Sequence, residues 1–168
     1  WGPPFTPRDT DKLLAEAAEM LPAAKSFELA KTRGGRLVRG LRVSEATASK
    51  PPGIWVHARQ HAWESGSCWV ARGFAEWLVS ADADAKWLRA NAEVFVVPIM
   101  DVDNAAIGAG GKEAIPRDHN RDWDDAPVYP EVAAAQRMIS EIHQKHGLDV
   151  YIDLHNPGWD DPIFFFGP

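Results

Sequence analysis

Three short, mostly apolar runs constrain the fold of this chain more than any other feature of its sequence. They cover residues 54–58, 94–99 and 150–154, and each has the length of a single β-strand. The apolar residues follow one another instead of alternating with polar ones, which is typical of strands covered on both faces. The three runs therefore predict the buried strands of one sheet.

Helical segments separate these runs. Cys68, Ala71, Phe74, Ala75 and Leu78 recur at helical spacing and predict a helix over residues 64–79. The other predicted elements are helices over 11–21, 84–91 and 130–146, and strands over 26–31 and 36–43 joined by a turn at Gly34-Gly35. Buried strands that alternate with helices predict an α/β fold with a mixed, largely parallel sheet covered by helices on both faces. The 168 residues fit a single domain, 1–168.

Polar groups follow each buried strand. His61 and Glu64 come after the first run, a predicted long loop over 101–128 follows the second, and His155 follows the third directly. Ligands of such sheets bind beyond the carboxyl ends of the strands, so these groups are expected to converge. Two imidazoles and one carboxylate suit zinc and leave a coordination position for water. The sequence therefore predicts one Zn²⁺ per chain, held by His61, Glu64 and His155.

Each of these signals has an alternative explanation when taken alone. An H-x-x-E pair often occurs by chance, and a histidine at a strand end is often structural. His57 competes with His61 as a ligand, although its position inside the strand favours the core. Asp118 and Asp153 are candidates for the carboxylate that accepts the second N–H of a metal-bound histidine.

The second half of the predicted loop, residues 117–123, is dense in polar side chains. Arg121 beside Asn120 offers a guanidinium fork and an amide donor, which together suit a carboxylate near a cation. The alternative is a solvated loop with surface ion pairs. The length of the loop and its start at a strand end favour the binding role.

Three motifs in this order resemble the zinc carboxypeptidase family of M14 type. Residues 57–64 resemble its first zinc motif, residues 118–123 its D-x-N-R segment, and residues 153–156 its second zinc segment. The resemblance extends from about residue 29 to the end and is closest to the cytosolic-type and bacterial branches. It implies a zinc carboxypeptidase-like fold and the same ligands. It also implies that Asp118 orients His61, and that Asn120 and Arg121 hold the carboxylate of a peptide or protein C-terminus.

Two departures from the family pattern stand out. The family's carbonyl-polarising arginine has no Arg counterpart, and Lys112, nearly at that position, is expected to supply the charge as a single-point donor. The family's general base, a glutamate, lies farther beyond the last zinc ligand than the thirteen residues that follow His155. We therefore expect roughly the first two-thirds of a catalytic domain, with the base outside the chain. The apolar run over 163–166 agrees, since a finished domain would cover it.

The expected activity is zinc-dependent removal of a C-terminal residue from peptides or proteins. Two alternatives are a zinc-dependent N-acyl amino-acid deacylase and a catalytically incomplete, zinc-containing peptide-binding module. The net charge of −6 and the lack of a basic cluster argue against a nucleic-acid partner. No window approaches the roughly 18 apolar residues of a membrane span. The compartment, the oligomeric state and the preferred C-terminal residue stay open.

Overall fold

The computed structural model describes residues 3–156. Its helices and strands, in chain order, are α1 (Pro7–Met20), β1 (Ala24–Lys31), β2 (Leu37–Val43), β3 (Gly53–Ala58), α2 (Ser65–Val79), α3 (Ala83–Asn91), β4 (Glu93–Val97), α4 (Val102–Ile107), α5 (Pro130–His146) and β5 (Leu148–Leu154). A 3₁₀ helix, His119–Arg121, lies between α4 and α5. The apolar run over 163–166 lies outside the described residues, so the expectation for it stays a prediction.

The five strands form one mixed sheet in the order β1-β2-β4-β3-β5. β3 pairs in parallel with both β4 and β5. β2 pairs antiparallel with both β1 and β4, so β2 runs opposite to the other four strands. The predicted mixed, largely parallel sheet is thereby confirmed.

Helices cover both faces of this sheet at β3 and β4, as predicted. The expectation of burial was wrong for the third run, because β5 lies at the sheet edge and, among the described residues, leaves Val150, Tyr151 and Ile152 38–46% exposed. Neighbouring residues of a strand point to opposite faces, so the consecutive apolar residues of β3 and β4 supply two cores. On one face, α1 and α2 pack on the sheet through a cluster that includes Leu13, Ala17, Ala71, Leu78, Val56, Val94 and Val96. On the other face, α5 packs on the sheet through a cluster that includes Ala135, Ile142, Trp55, Phe95 and Val97. Within residues 3–156, no helix has the length and apolar character needed to cross a membrane.

The segment that follows β4 differs from the expectation of one continuous loop over 101–128. It contains α4 and the 3₁₀ helix. A carboxylate oxygen of Asp101 accepts the backbone N–H of Asn104 at 3.2 Å and caps α4. Gly108 ends this helix in the left-handed conformation, with φ of 72°. Sequence periodicity missed α4 because six residues contain fewer than two helical turns.

Candidate metal centre

The carboxyl ends of two neighbouring parallel strands bring the predicted metal ligands together. β3 and β5 pair as far as Ala58 and Leu154. His155 follows β5 directly, and His61 and Glu64 lie in the short connection between β3 and α2. Glu64 and His155 thereby come into contact although 91 positions separate them in sequence.

The connection after β3 has a distinctive backbone. Arg59 adopts a left-handed conformation with φ of 59°, which is unfavourable for a residue with a side chain. Its buried guanidinium stabilises this turn, because Nε donates to the carbonyl oxygen of Ala62 at 2.7 Å. Across the turn, Gly111 has φ of 91°, and a Cβ there would lie 2.6 Å from the backbone nitrogen of Ala62. Arg59 and Gly111 thus fix the path of the chain that carries His61 and Glu64.

The three candidate ligands form a compact cluster around the carboxylate of Glu64. Nδ1 of His61 lies 2.8 Å from Oε1 of Glu64, and Nδ1 of His155 lies 2.7 Å from Oε2. One potential ligand atom of each residue lies within 4.8 Å of the others, and no other such group of His, Cys, Asp or Glu occurs within residues 3–156. His61 and Glu64 are buried, whereas His155 is partly accessible to solvent.

Each histidine turns its second ring nitrogen towards another carboxylate. Nε2 of His61 lies 3.2 Å from Oδ1 of Asp118, and Nε2 of His155 lies 3.0 Å from Oδ2 of Asp153. Metal-bound histidines usually donate their remaining N–H to a carboxylate, which fixes the ring and raises its basicity. Both carboxylates suggested by the sequence therefore lie where that role requires them.

Charge at this cluster favours a cation. Burial alone would raise the pKa of Glu64, but hydrogen bonds and charge from His155 and His61 lower it overall. Burial alone would lower the pKa of His155, but Asp153 and Glu64 raise it to about 10. A metal cation would compete for the same nitrogen with this proton. Two imidazoles, one carboxylate and two outer carboxylates fit zinc with one coordination position left open.

Asn120 and Arg121 lie in the 3₁₀ helix beside the cluster. Nδ2 of Asn120 lies 3.4 Å from Nε2 of His155. The carboxylate of Asp118 accepts the backbone N–H of Asn120 at 2.8 Å, so Asp118 connects this segment to His61. Arg121 is exposed, and within residues 3–156 it forms no ion pair, its only hydrogen bond being to the carbonyl oxygen of Asn120 at 3.3 Å. The guanidinium of Arg121 is therefore available to an anion.

The other cations of this region are placed differently. Arg117 pairs with Asp122 and Asp124, as the surface-loop alternative predicts for this segment. The ammonium of Lys112 lies 5.5 Å from the ring centroid of Trp63, an indole that is 63% exposed. Among the described residues, Lys112 forms no ion pair and no hydrogen bond with the three candidate ligands. Its role in polarising a carbonyl stays a prediction.

A group of buried polar side chains behind the ligands was missed by sequence reasoning. His57, Gln60, His119 and Glu131 are each at most 2% exposed. His57 lies in the core, as expected, and outside the ligand cluster. The one available signal was position in the sequence, because Gln60 and His119 lie inside two of the motifs. Their mutual contact depends on the packing of segments that are far apart in sequence.

This chain is similar in sequence to zinc carboxypeptidases. The family model described as zinc carboxypeptidase matches residues 10–158. Cytosolic carboxypeptidase 3 of Bos taurus is 28% identical over 127 residues, which cover 74% of this chain and 13% of the relative. The protein of the same name from Mus musculus is 29% identical over 121 residues, which cover 71% of this chain and 12% of the relative.

Similar solved structures agree with these relatives. A metallo-carboxypeptidase from Burkholderia cenocepacia superimposes with a TM-score of 0.81 at 28% identity, over 92% of this chain and 42% of that chain. A metallo-carboxypeptidase from Pseudomonas aeruginosa, in complex with (2-guanidinoethylmercapto)succinic acid, superimposes with a TM-score of 0.78 at 27% identity. The match covers 92% of this chain and 40% of that chain. An aspartoacylase family protein from Mesorhizobium loti shares the fold alone, with a TM-score of 0.57 at 15% identity. The match covers 79% of this chain and 39% of that chain. The chain thus spans less than half the length of each of these proteins.

Proposed function

Because the chain belongs to the zinc carboxypeptidase family, we propose that it provides the metal-binding part of a site that removes a C-terminal residue from peptides or proteins. The observation that carries this proposal is the convergence of His61, Glu64 and His155 at the carboxyl ends of β3 and β5. Open sites with three protein ligands are typical of catalytic zinc.

The chain's own residues would hold the metal and orient its ligands. When bound, zinc would lower the pKa of a water molecule and polarise the scissile carbonyl. Asp118 and Asp153 face Nε2 of the two histidines, which favours the tautomers that leave both Nδ1 atoms available for coordination. Glu64 supplies the third ligand atom from between the two rings.

Asn120 and Arg121 would bind the terminal carboxylate of the substrate. The guanidinium of Arg121 has no carboxylate partner within residues 3–156, and the amide of Asn120 lies next to His155. Holding the terminal carboxylate beside the metal ligands would place the last peptide bond over the metal. The ligand named for the Pseudomonas structure is a substituted succinic acid, a dicarboxylic acid, which agrees with carboxylate recognition.

Two further roles complete the proposal. Lys112 would stabilise the developing oxyanion, which requires its ammonium to leave the Trp63 ring. The general base is proposed to lie outside this chain. Within residues 3–156, the carboxylates at the cluster are Glu64, Asp118 and Asp153, and each already faces a histidine.

A peptide assay tests this function. The zinc-loaded chain is incubated with a pool of peptides that have free or amidated C-termini, with and without chelator, and products are identified by mass spectrometry. Loss of single C-terminal residues that stops on chelation supports the carboxypeptidase activity, and if this chain alone catalyses it, the proposal that the general base lies outside the chain is refuted. No cleavage at one zinc per chain, with cleavage by a longer reading frame, supports both parts of the proposal. Hydrolysis of N-acyl aspartate without peptide cleavage favours the deacylase. Tight peptide binding without turnover, at one zinc per chain and also in a longer reading frame, favours the binding module.

Replacement of Arg121 tests the substrate contact directly. A charged hydrogen bond contributes about 1.5–3 kcal/mol, so Arg121→Ala should weaken binding of peptides with a free C-terminus by about 10- to 150-fold. Binding of amidated peptides should not change. Arg137→Ala is the matched control, since Arg137 is exposed on α5 and has no ion pair within the described residues. Equal losses on free and amidated peptides would contradict the assigned role.

A further inference from the structure

A chain of buried polar side chains runs behind the candidate ligands. It begins at Nε1 of Trp55, which lies 2.8 Å from Nδ1 of His57. Nε2 of His57 lies 3.2 Å from Nε2 of Gln60, and Oε1 of Gln60 lies 2.8 Å from Nδ1 of His119. The chain ends with Nε2 of His119, 3.0 Å from Oε1 of Glu131. All five residues are at most 2% exposed, so their polar atoms depend on partners within the protein. Nε2 of His57 also lies 3.0 Å from Oδ1 of Asp153 and 3.5 Å from the hydroxyl of Tyr151, and Oε2 of Glu131 has no partner among the described residues.

The indole of Trp55 determines which ring nitrogen of His57 carries the proton. An indole N–H can only donate, so Nδ1 of His57 must be the acceptor and carry no proton. A neutral His57 is then protonated at Nε2. The position of Asp153 requires the same tautomer, because its Oδ1 lies 3.0 Å from Nε2 of His57 and can only accept.

This tautomer determines the orientation of the Gln60 amide. The N–H at Nε2 of His57 has an acceptor in Oδ1 of Asp153, but it also lies 3.2 Å from the NH₂ group of Gln60, which is a second donor. Two buried donors that face each other repel, whereas the oxygen of Gln60 could share the same N–H with Asp153. The two ends of a carboxamide have nearly the same shape, so the amide can turn by 180° in place. We propose that Gln60 adopts the turned orientation, with its oxygen towards His57 and its nitrogen towards His119.

The direction of every later hydrogen bond follows from this orientation. The NH₂ group of Gln60 donates to Nδ1 of His119, which is therefore neutral and protonated at Nε2. His119 then donates to the carboxylate of Glu131. From Trp55 to Glu131 each residue then donates to the next, with the N–H of His57 shared between Gln60 and Asp153. We name these five residues, Trp55, His57, Gln60, His119 and Glu131, the directed relay.

The directed relay positions the metal centre. Gln60 precedes His61, and His119 follows Asp118. The hydrogen bond between Gln60 and His119 therefore lies beside the contact of 3.2 Å between His61 and Asp118. The Gln60–His119 and His61–Asp118 contacts together hold the connection after β3 against the 3₁₀ helix that carries Asn120. Gln60 and His119 are thus positioning residues, and their bearing on catalysis rests on the function proposed above.

Imidazole nitrogen shifts test the relay without any activity assay. Long-range ¹H–¹⁵N correlation spectra of the full 168-residue chain, free of metal, report the protonation of each ring nitrogen. We expect His57 and His119 to be neutral and protonated at Nε2. An imidazolium His119, or a His119 protonated at Nδ1, would overturn the proposal. The outcome does not depend on peptide hydrolysis, so a failed carboxypeptidase assay would leave it intact.

Variants of Gln60 test the orientation and the positioning role separately. In Gln60→Glu both side-chain oxygens accept, so His119 should become doubly protonated in the same spectra. In Gln60→Leu both links are lost, and zinc affinity should fall, by at most about tenfold, the lower limit for residues that bond directly to a metal-bound histidine. Gln136→Leu is the matched control, because Gln136 bonds instead to the carbonyl oxygen of Asp124. Zinc affinity of Gln60→Leu equal to that of the control would refute the positioning role.

Discussion

Replacement of Asp118 by asparagine isolates the electrostatic contribution of the carboxylate that faces His61. The structure gives this side chain two contacts, Nε2 of His61 at 3.2 Å and the backbone N–H of Asn120 at 2.8 Å. Asparagine has the same shape and retains one oxygen that can accept either bond. Asp118→Asn therefore removes a negative charge and leaves the 3₁₀ helix in place.

The expected loss follows from the role of such carboxylates. Removing the outer hydrogen-bond partner of a metal-bound histidine typically weakens metal binding by about 10- to 100-fold. The lower limit applies to Asp118→Asn, because the oxygen is retained, and corresponds to about 1.4 kcal/mol. Zinc at about 100 times the wild-type Kd stabilises the protein by about 2.7 kcal/mol, and a tenfold weaker site gains about 1.4 kcal/mol. The zinc-induced rise in Tm should then be about 3–5 °C smaller in the variant.

Competition titration against a chromophoric zinc chelator measures the affinity, and a thermal melt with and without zinc measures the stabilisation. Asp124→Asn is the matched control, because Asp124 accepts the N–H of Ala126 at 2.9 Å in a similar turn and faces no histidine. Equal affinities of Asp118→Asn and the wild type would refute the assignment of Asp118. An equal loss in Asp124→Asn would show that the loop as a whole, and not the charge at His61, determines zinc binding.

Two other groups have pKa values that predict measurable behaviour. Burial raises the pKa of the Cys68 thiol to about 11, so the native chain should not react with iodoacetamide at pH 8, whereas the denatured chain should react fully. Rapid alkylation of the native chain would contradict this burial. For Asp103, burial alone would raise the pKa, but hydrogen bonds from Thr32, Arg36 and Gly34 lower it overall. A carboxyl whose pKa is lowered in the folded state stabilises the fold at neutral pH and loses this contribution as the pH falls below about 4. Asp103→Asn should therefore show a smaller decrease in urea-unfolding free energy between pH 5 and pH 3 than the wild type, and an unchanged decrease would refute the assignment.

Elements with strong local patterns were predictable. The run over 54–58 became β3, and the run over 150–154 became most of β5. Burial was predicted correctly for β3 but not for β5, because an apolar run does not reveal that its strand lies at the edge of the sheet. The run over 94–99 became β4, which ends at Val97 because Pro98 has no N–H to donate to the sheet. Local pattern did not reveal α4, whose six residues carry a capping aspartate but too little periodicity.

The candidate site was predictable as a set of residues but not as an arrangement. The spacing of His61 and Glu64 and the strand-end position of His155 mark them as ligands before any contact is known. No spacing rule indicates that both Nδ1 atoms face Glu64, or that Asp118 and Asp153 each face one histidine. The sequence pattern also did not predict that Lys112 lies over the exposed Trp63 ring.

The sequence by itself determined which runs form strands and that two imidazoles and a carboxylate follow them, because each of these properties is encoded within about ten neighbouring residues. Only the tertiary structure decided that β5 lies beside β3, which brings His155 to Glu64 across 91 positions of the chain. It also decided that Gln60 meets His119, since a hydrogen bond across 59 positions forms only after the sheet and α5 have excluded water from both side chains.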